Sequence, residues 1–232
     1  MKNIPYLEIR EKYLRHLERN NHAIIPSESL VPENNPSVLF VNAGMFPLIP
    51  YLMGEAHPKG TRLANSQRCL RTVDIDAVGD ATHLTTFEML GNWSLNDYFK
   101  EEAIRMTLDF FVDELGIDIQ KVSATIFEGD SDAPMDTDSV AVWEKLFKER
   151  GIEAKVGARE RIRPLGKADN WWEPDGGGPC GPDSEIFFDM GGELVELGNN
   201  VFMEYLKESD QYKPLGRHNV DFGGGLDRLA MI

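Results

Sequence analysis

The chain is short of cysteine, of positive charge and of long apolar runs, and each shortage removes a class of protein. Only Cys69 and Cys180 occur in 232 residues, too few for a disulfide-built secreted scaffold and in keeping with a reducing, cytoplasmic compartment. The longest apolar run, FPLIPYLM from Phe46, is interrupted by proline and far below the ~20 residues that cross a bilayer. The opening MKNIPYLEIREK has no apolar signal core, so a membrane is not an expected partner. Lysine and arginine total 24 against 39 aspartates and glutamates, a net charge of −15. That charge repels a polyanion unless basic groups cluster; it argues against extensive nucleic-acid contact but not against a nucleotide held by a few placed groups and a cation. His16, His22, His57, His83 and His218 are scattered without metal-ligand spacing, so no zinc is expected. The sequence contains no repeat, heptad run or low-complexity tail.

What is present suits one large domain, residues 1–232, with 41% hydrophobic residues to form a core. Helical spacing of Tyr6, Ile9, Tyr13 and Leu17 predicts an amphipathic helix over 5–20. Similar patterns predict helices over 100–115, closed by Gly116, and over 138–150, closed by Gly151. Strands are expected at 38–41, 63–70, 85–90 and 122–127. A hairpin is expected from IFFD through Gly191–Gly192 to ELVEL, with NNVFMEYL as a further strand and NVDFGGGLDRLAMI as strand, glycine turn and helix. GDSDAPMDTD reads as a solvated connection, Trp171 as core, and the two cysteines as small packed residues.

The second and third strands, at 63–70 and 85–90, are joined by a polar loop containing Asp and Gly, long enough to wrap a ligand. Arg71 stands where the first of the two ends, and a guanidinium there meets a phosphate bidentately. Arg68, an odd number of residues away, faces the other side. Phe87 on the returning strand offers a ring face to a flat heterocycle. Together they make half a nucleotide site. His83 either contacts the ligand or satisfies a loop carbonyl.

The spacing of Arg71, His83 and Phe87, followed by FEMLGNWSLNDYFK, closely resembles the second signature motif of class II aminoacyl-tRNA synthetases, and within them the alanyl family. The segment from 27 to 45 resembles the first motif, and ADNWWEPDGGGPCGPDSEIFFD resembles a long signature of the alanyl members. NVDFGGGLDRLAMI resembles the third motif. Gly177, Gly198 and Asp227 stand where the family more commonly has Thr, Trp and Glu.

The resemblance implies an α+β fold with a largely antiparallel sheet flanked by helices, and ATP-dependent formation of alanyl-adenylate with Mg²⁺ on the phosphates. It assigns Arg71 as the catalytic cation, with His83, Phe87 and Arg228 also binding ATP. Asp221 takes the alanine ammonium, while Trp172, Asn199 and Gly223 shape the alanine pocket; the local sequence leaves Asp221 an alternative as a helix cap. The magnesium carboxylates stay unassigned. L-alanine and ATP are the expected partners, the acceptor end of alanine tRNA a weaker one, and the chain is expected to be a monomer. It stops at Ile232 a few residues into a helix, so a fragment is expected, without tRNA-recognition, editing or C-terminal parts. The rival readings are a paralogue that activates an amino acid for a non-tRNA acceptor and a non-catalytic nucleotide-binding module.

Overall fold

The computed structural model describes residues 4–32, 39–73, 75–80, 82–174, 176–209 and 211–232. Helix α1 (Tyr6–Arg19) forms where the apolar stripe predicts it, burying Ile9, Tyr13, His16 and Leu17. Strand β1 (Ala23–Ile24) and the short helix α2 (Ile49–Leu52) follow.

Of the strand expected at 38–41, Val38 lies outside the described residues and 39–41 form no strand. Val41 donates its N–H to the Leu30 carbonyl at 2.9 Å and accepts from Leu70 N–H at 3.0 Å. Leu39 is 86% exposed. The β-branched composition finds only these isolated backbone bonds, and propensity without a ladder partner does not make a strand.

Strands β2 (Arg62–Leu70) and β3 (Thr86–Ser94) pair antiparallel with the loop 71–85 between them, as expected. Helix α3 (Lys100–Asp109) continues into a π-helical turn, Phe110–Glu114, before Gly116 at φ +72° ends it. Then come β4 (Val122–Phe127), α4 (Thr137–Glu149), β5 (Ile162–Leu165), α5 (Lys167–Asn170), β6 (Trp171–Trp172) and β7 (Gly178–Asp189). The Asp189 carboxylate accepts the N–H groups of Gly191 and Gly192 at 2.8 and 2.6 Å, closing the hairpin into β8 (Leu194–Glu208). Strand β9 (Gln211–Gly225) and helix α6 (Leu226–Met231) complete the described chain.

Two expectations are corrected here. ELVEL and NNVFMEYL are one continuous strand, β8, because the intervening Gly198 is paired with β7, and the Asn199 that follows is paired with both β7 and β9. Gly223 to Gly225 are the end of β9 rather than a turn, since Met89, Leu90 and Gly91 pair with them.

Among the described residues the sheet has nine strands in the order β1-β2-β3-β9-β8-β7-β4-β5, with β6 paired to β7. β1 and β2 are parallel, as are β4 and β5; the other named pairs are antiparallel. This is the α+β architecture anticipated. One face carries the main core, where Tyr13, Phe110, Phe111, Trp143 and Phe147 from the helices meet Leu90, Phe202, Val220 and Phe222 from the sheet. The alternate residues of the same strands, Leu63, Trp93, Val201 and Met203, face a smaller cluster with Met45, Leu48 and Leu52. That second face is only partly covered, and the uncovered part is the cavity described below.

A buried ion pair pins the helical layer. Lys100 Nζ donates to Asp136 Oδ1 at 2.7 Å, the two side chains being 10% and 1% exposed. Asp136 also caps α4 by accepting from Ser139 N–H at 3.1 Å. Replacing Lys100 by Met should leave Asp136 charged and buried, lowering unfolding stability by about 3–5 kcal/mol in urea denaturation; a loss below about 1 kcal/mol would mean the pair is in effect solvated.

Candidate functional site

Four central strands build the floor of a cavity of about 530 Å³, within the range of small-molecule sites. Across β3, β9, β8 and β7 the residues Gly91, Gly223, Asn199 and Glu185 lie in one row, and Trp93, Asp221, Val201 and Asp183 in the next. All eight residues assigned from the sequence line this one cavity: Arg71, His83, Phe87, Trp172, Asn199, Asp221, Gly223 and Arg228.

Arg71 follows β2, with its backbone N–H held by the Thr85 carbonyl at 2.8 Å. Its Nε–H donates to the Asn42 carbonyl at 2.9 Å, and its guanidinium carbon lies 5.1 Å from the Phe87 ring centroid. The side chain is thereby fixed at one nitrogen, and among the described residues no hydrogen bond engages its two terminal amines. Arg68 is exposed on the other side, as strand alternation requires. His83 Nδ1 meets the Asp80 carboxylate at 2.5 Å, so its loop partner is a carboxylate rather than a carbonyl. Those contacts, the His83 backbone N–H first, hold Asp80 down at about 2.

Asp221 sits mid-strand in β9, not at a helix cap. It is 9% exposed, and no ion pair reaches it among the described residues. Burial pushes its carboxyl up to about 7, with the indole of Trp93 on the paired strand pulling the other way. Beside it Gly223 faces Met89 and Asn199 closely: a Cβ there would lie 3.2 Å from Met89 Sδ, a tight contact that the thioether would have to yield to, and 3.6 Å from Asn199 Oδ1. Met89, Val201 and Trp172 line the cavity with Asp221.

The opposite part of the cavity is acidic. Glu185 is pushed up to about 7, first by burial and then by the charge of Glu196. Glu196 Oε2 accepts from Arg228 Nη1 at 2.7 Å. It reaches the cavity because of a β-bulge: Ile186 pairs with Gly198 but Phe187 with Glu196, so Leu197 is the extra residue and the alternation shifts. Asp227 also lines the cavity and accepts the Glu88 N–H at 3.2 Å.

The sequence reading did not single out Asn42, Met89, Val201, Glu173, Glu185 or Glu196, which line the same cavity. For Glu185 a signal existed in the motif-bearing stretch at 167–189; for Glu196 none did, since a bulge is set by the pairing of two strands. The departures also find physical reasons. A Cβ at Gly198 would lie 2.6 Å from Gly223 O and 2.9 Å from Phe222 Cζ, so β9 already fills that place. Gly177 has φ +93°, and a Cβ there would lie 2.7 Å from Lys207 O, so this loop requires glycine.

The whole chain has relatives. A family model described as tRNA synthetases class II (A) matches residues 8–232. Alanine--tRNA ligase of Treponema denticola is 52% identical over 250 residues, covering 100% of this chain and 40% of that protein. Those of Treponema pallidum and Borreliella burgdorferi are 51% and 47% identical, covering 97% and 95% of this chain and 39% of each protein. The chain thus spans about 40% of the length of these relatives. Among solved structures, apo S. aureus histidyl-tRNA synthetase matches 99% of this chain and 67% of its own at a TM-score of 0.54 and 11% identity, a likeness of fold. Among the described residues no helix is long and apolar enough to cross a membrane.

The raised Asp221 value has a consequence for stability. The folded state holds a proton that the unfolded chain has lost, so this contribution is full below about 4 and fades as pH rises through about 7. Asp221→Asn removes the buried charge without changing shape. Its melting temperature relative to the parent should therefore rise between pH 5 and pH 8, by an amount corresponding to a few kcal/mol at ~1.4 kcal/mol per pH unit. A difference independent of pH would show that Asp221 is solvated.

Proposed function

This chain belongs to the class II (A) tRNA synthetases, and from that premise we propose that its cavity joins ATP and L-alanine into alanyl-adenylate. The observation that carries the reading is the convergence of Arg71, Phe87 and Asp221 on one cavity. A cation, an aromatic face and an isolated buried carboxylate are the three groups that a phosphate, a purine and an ammonium require.

In this reading the alanine carboxylate oxygen attacks the α-phosphorus of ATP, one P–O bond forms, and the bond to pyrophosphate breaks in line. No protein nucleophile is needed; position and charge do the work. Asp221 holds the ammonium, and the space lined by Met89, Val201 and Trp172 takes the methyl group. Asn199 and Gly223 form the floor beneath it. Arg71 brings the α-phosphate and the carboxylate together, using the amines that Asn42 leaves open. Phe87 and Arg228 flank the adenine, with His83 at the mouth of the loop.

Mg²⁺ on the β- and γ-phosphates would supply charge neutralisation. Glu185 and Glu196 fit that ion: the charge of Glu196 helps to hold Glu185 up at about 7, and a cation relieves this repulsion. Alanine tRNA is the final acceptor in this reading. The net charge of −15 leaves little surface suited to RNA, so charging by this chain alone is expected to be weak. The 232 residues act as one catalytic domain, as a monomer in the cytoplasm.

Alanine-dependent ATP–pyrophosphate exchange tests the reading. The parent chain should exchange with alanine above all other amino acids. Arg71→Ala should lose at least about tenfold in kcat/KM, the equivalent of one charge-assisted hydrogen bond. No exchange above background with any amino acid would refute the proposal.

The pH profile gives a second check. Alanine stays cationic below pH 7 while Asp221 takes up a proton, so the KM for alanine should rise about tenfold per unit as pH falls below about 7. A flat profile from pH 5.5 to 8 would remove Asp221 from the ammonium site.

A further inference from the structure

Trp172, the wall of the alanine pocket, is held by groups outside that pocket. Strand alternation along β6 sends Trp171 and Trp172 to opposite sides. Trp172 packs on the cluster of Met45, Trp93 and Val201 and lines the cavity. Trp171 lies against Phe127 of β4 and against Tyr205 and Tyr212 on the far half of the β8–β9 hairpin, at centroid distances of 5.3, 5.4 and 5.2 Å.

Glu173 ties Trp171 to that hairpin. Its Oε2 accepts the Trp171 indole N–H at 3.0 Å and the Tyr212 hydroxyl at 2.6 Å, and its Oε1 is paired with Lys207. One carboxylate thus gathers donors from β6, β8 and β9, and the residue it fixes is the neighbour of Trp172. Burial works against the charge on Glu173, but the three donors outweigh it and hold the carboxyl below its ordinary range. Both oxygens are engaged, so Glu173 is not free to act on a substrate although it borders the cavity. The same hairpin meets the next loop at Gly177, where Lys207 O leaves no room for a Cβ.

We propose that Glu173 is a positioning residue that sets the depth of the alanine pocket by fixing Trp172, so that selectivity for alanine depends on a clamp at the tip of the β8–β9 hairpin. The inference rests on the reading of the cavity as an alanine-activating site. Loosening the clamp lets the indole move, which weakens contact with the methyl group and admits a side chain with one more heavy atom. The phosphates and adenine are bound elsewhere in the cavity and do not sense it.

Pyrophosphate exchange with alanine and with serine, on Glu173→Gln and Tyr212→Phe, tests the clamp. Glu173→Gln should raise the KM for alanine about tenfold and lower the alanine-over-serine ratio of kcat/KM about tenfold, the effect of one lost charge-assisted contact. The kcat with alanine and the KM for ATP should move less than about twofold, since neither senses the wall. Tyr212→Phe, which removes one donor of three, should lie between the two. A lower melting temperature with unchanged alanine KM and unchanged serine ratio would reduce Glu173 to a stabilising contact and overturn the proposal. The indole N–H resonance of Trp172 gives a reading independent of turnover. It should shift in both variants, and an unshifted resonance would overturn the clamp. A parent chain without alanine-dependent exchange would count against the reading of function, while a shifted Trp172 resonance would still support the clamp.

Discussion

A carboxylate enclosed in the middle of a sheet, with no ion-pair partner among the described residues, is the constraint on which this structure turns. Asp221 lies between Trp93 on one strand and Val201 on the other, and burial holds its proton to about neutral pH. Such a group opposes folding at the pH where it is charged, and a stability-driven design would replace it. What would favour it is a ligand that brings its own positive charge, and in the proposed function the ammonium of a small amino acid is that ligand. Arg71, which lines the same cavity, would take the anionic partner in that function, while Arg228 is paired with Glu196.

The rest of the fold holds these opposed charges within one cavity. β9 is flanked by β3 and β8, and the aromatic core under the opposite face, with Phe222 in it, fixes the strand that carries Asp221. Gly223 keeps the cavity side low, while Phe222 and the β9 backbone occupy the position where a side chain on Gly198 would stand. The bulge at Leu197 turns Glu196 toward Arg228 and Glu185. The shape and charge balance of the cavity therefore come from how strands pair, as much as from which residues they contain.

Much of this was legible in the sequence, for identifiable reasons. α1 and α4 carry strong helical stripes, and β2, β3 and β4 carry apolar runs bounded by turn chemistry, so local pattern and tertiary need agreed. The eight residues that the resemblance singled out line one cavity. What could not be read depends on partners distant in sequence. Leu39 to Val41 has strand composition but no ladder, whereas Gly198–Asn199 and Gly223 to Gly225 have turn composition yet are held in strands by their neighbours. The placement of Glu196 by a bulge and of Glu173 by a hairpin tip has no local signature at all.

The most direct measurement of the central claim is the proton count on alanine binding, by titration calorimetry at pH 7 in buffers of different ionisation enthalpy. If the ammonium sits on Asp221, binding forces that carboxyl to ionise, and about half a proton should be released per alanine bound at a pH equal to its free value. The release should vanish in Asp221→Asn. Alanine bound with no proton exchanged at pH 7, or with the same exchange in the variant, would contradict the account.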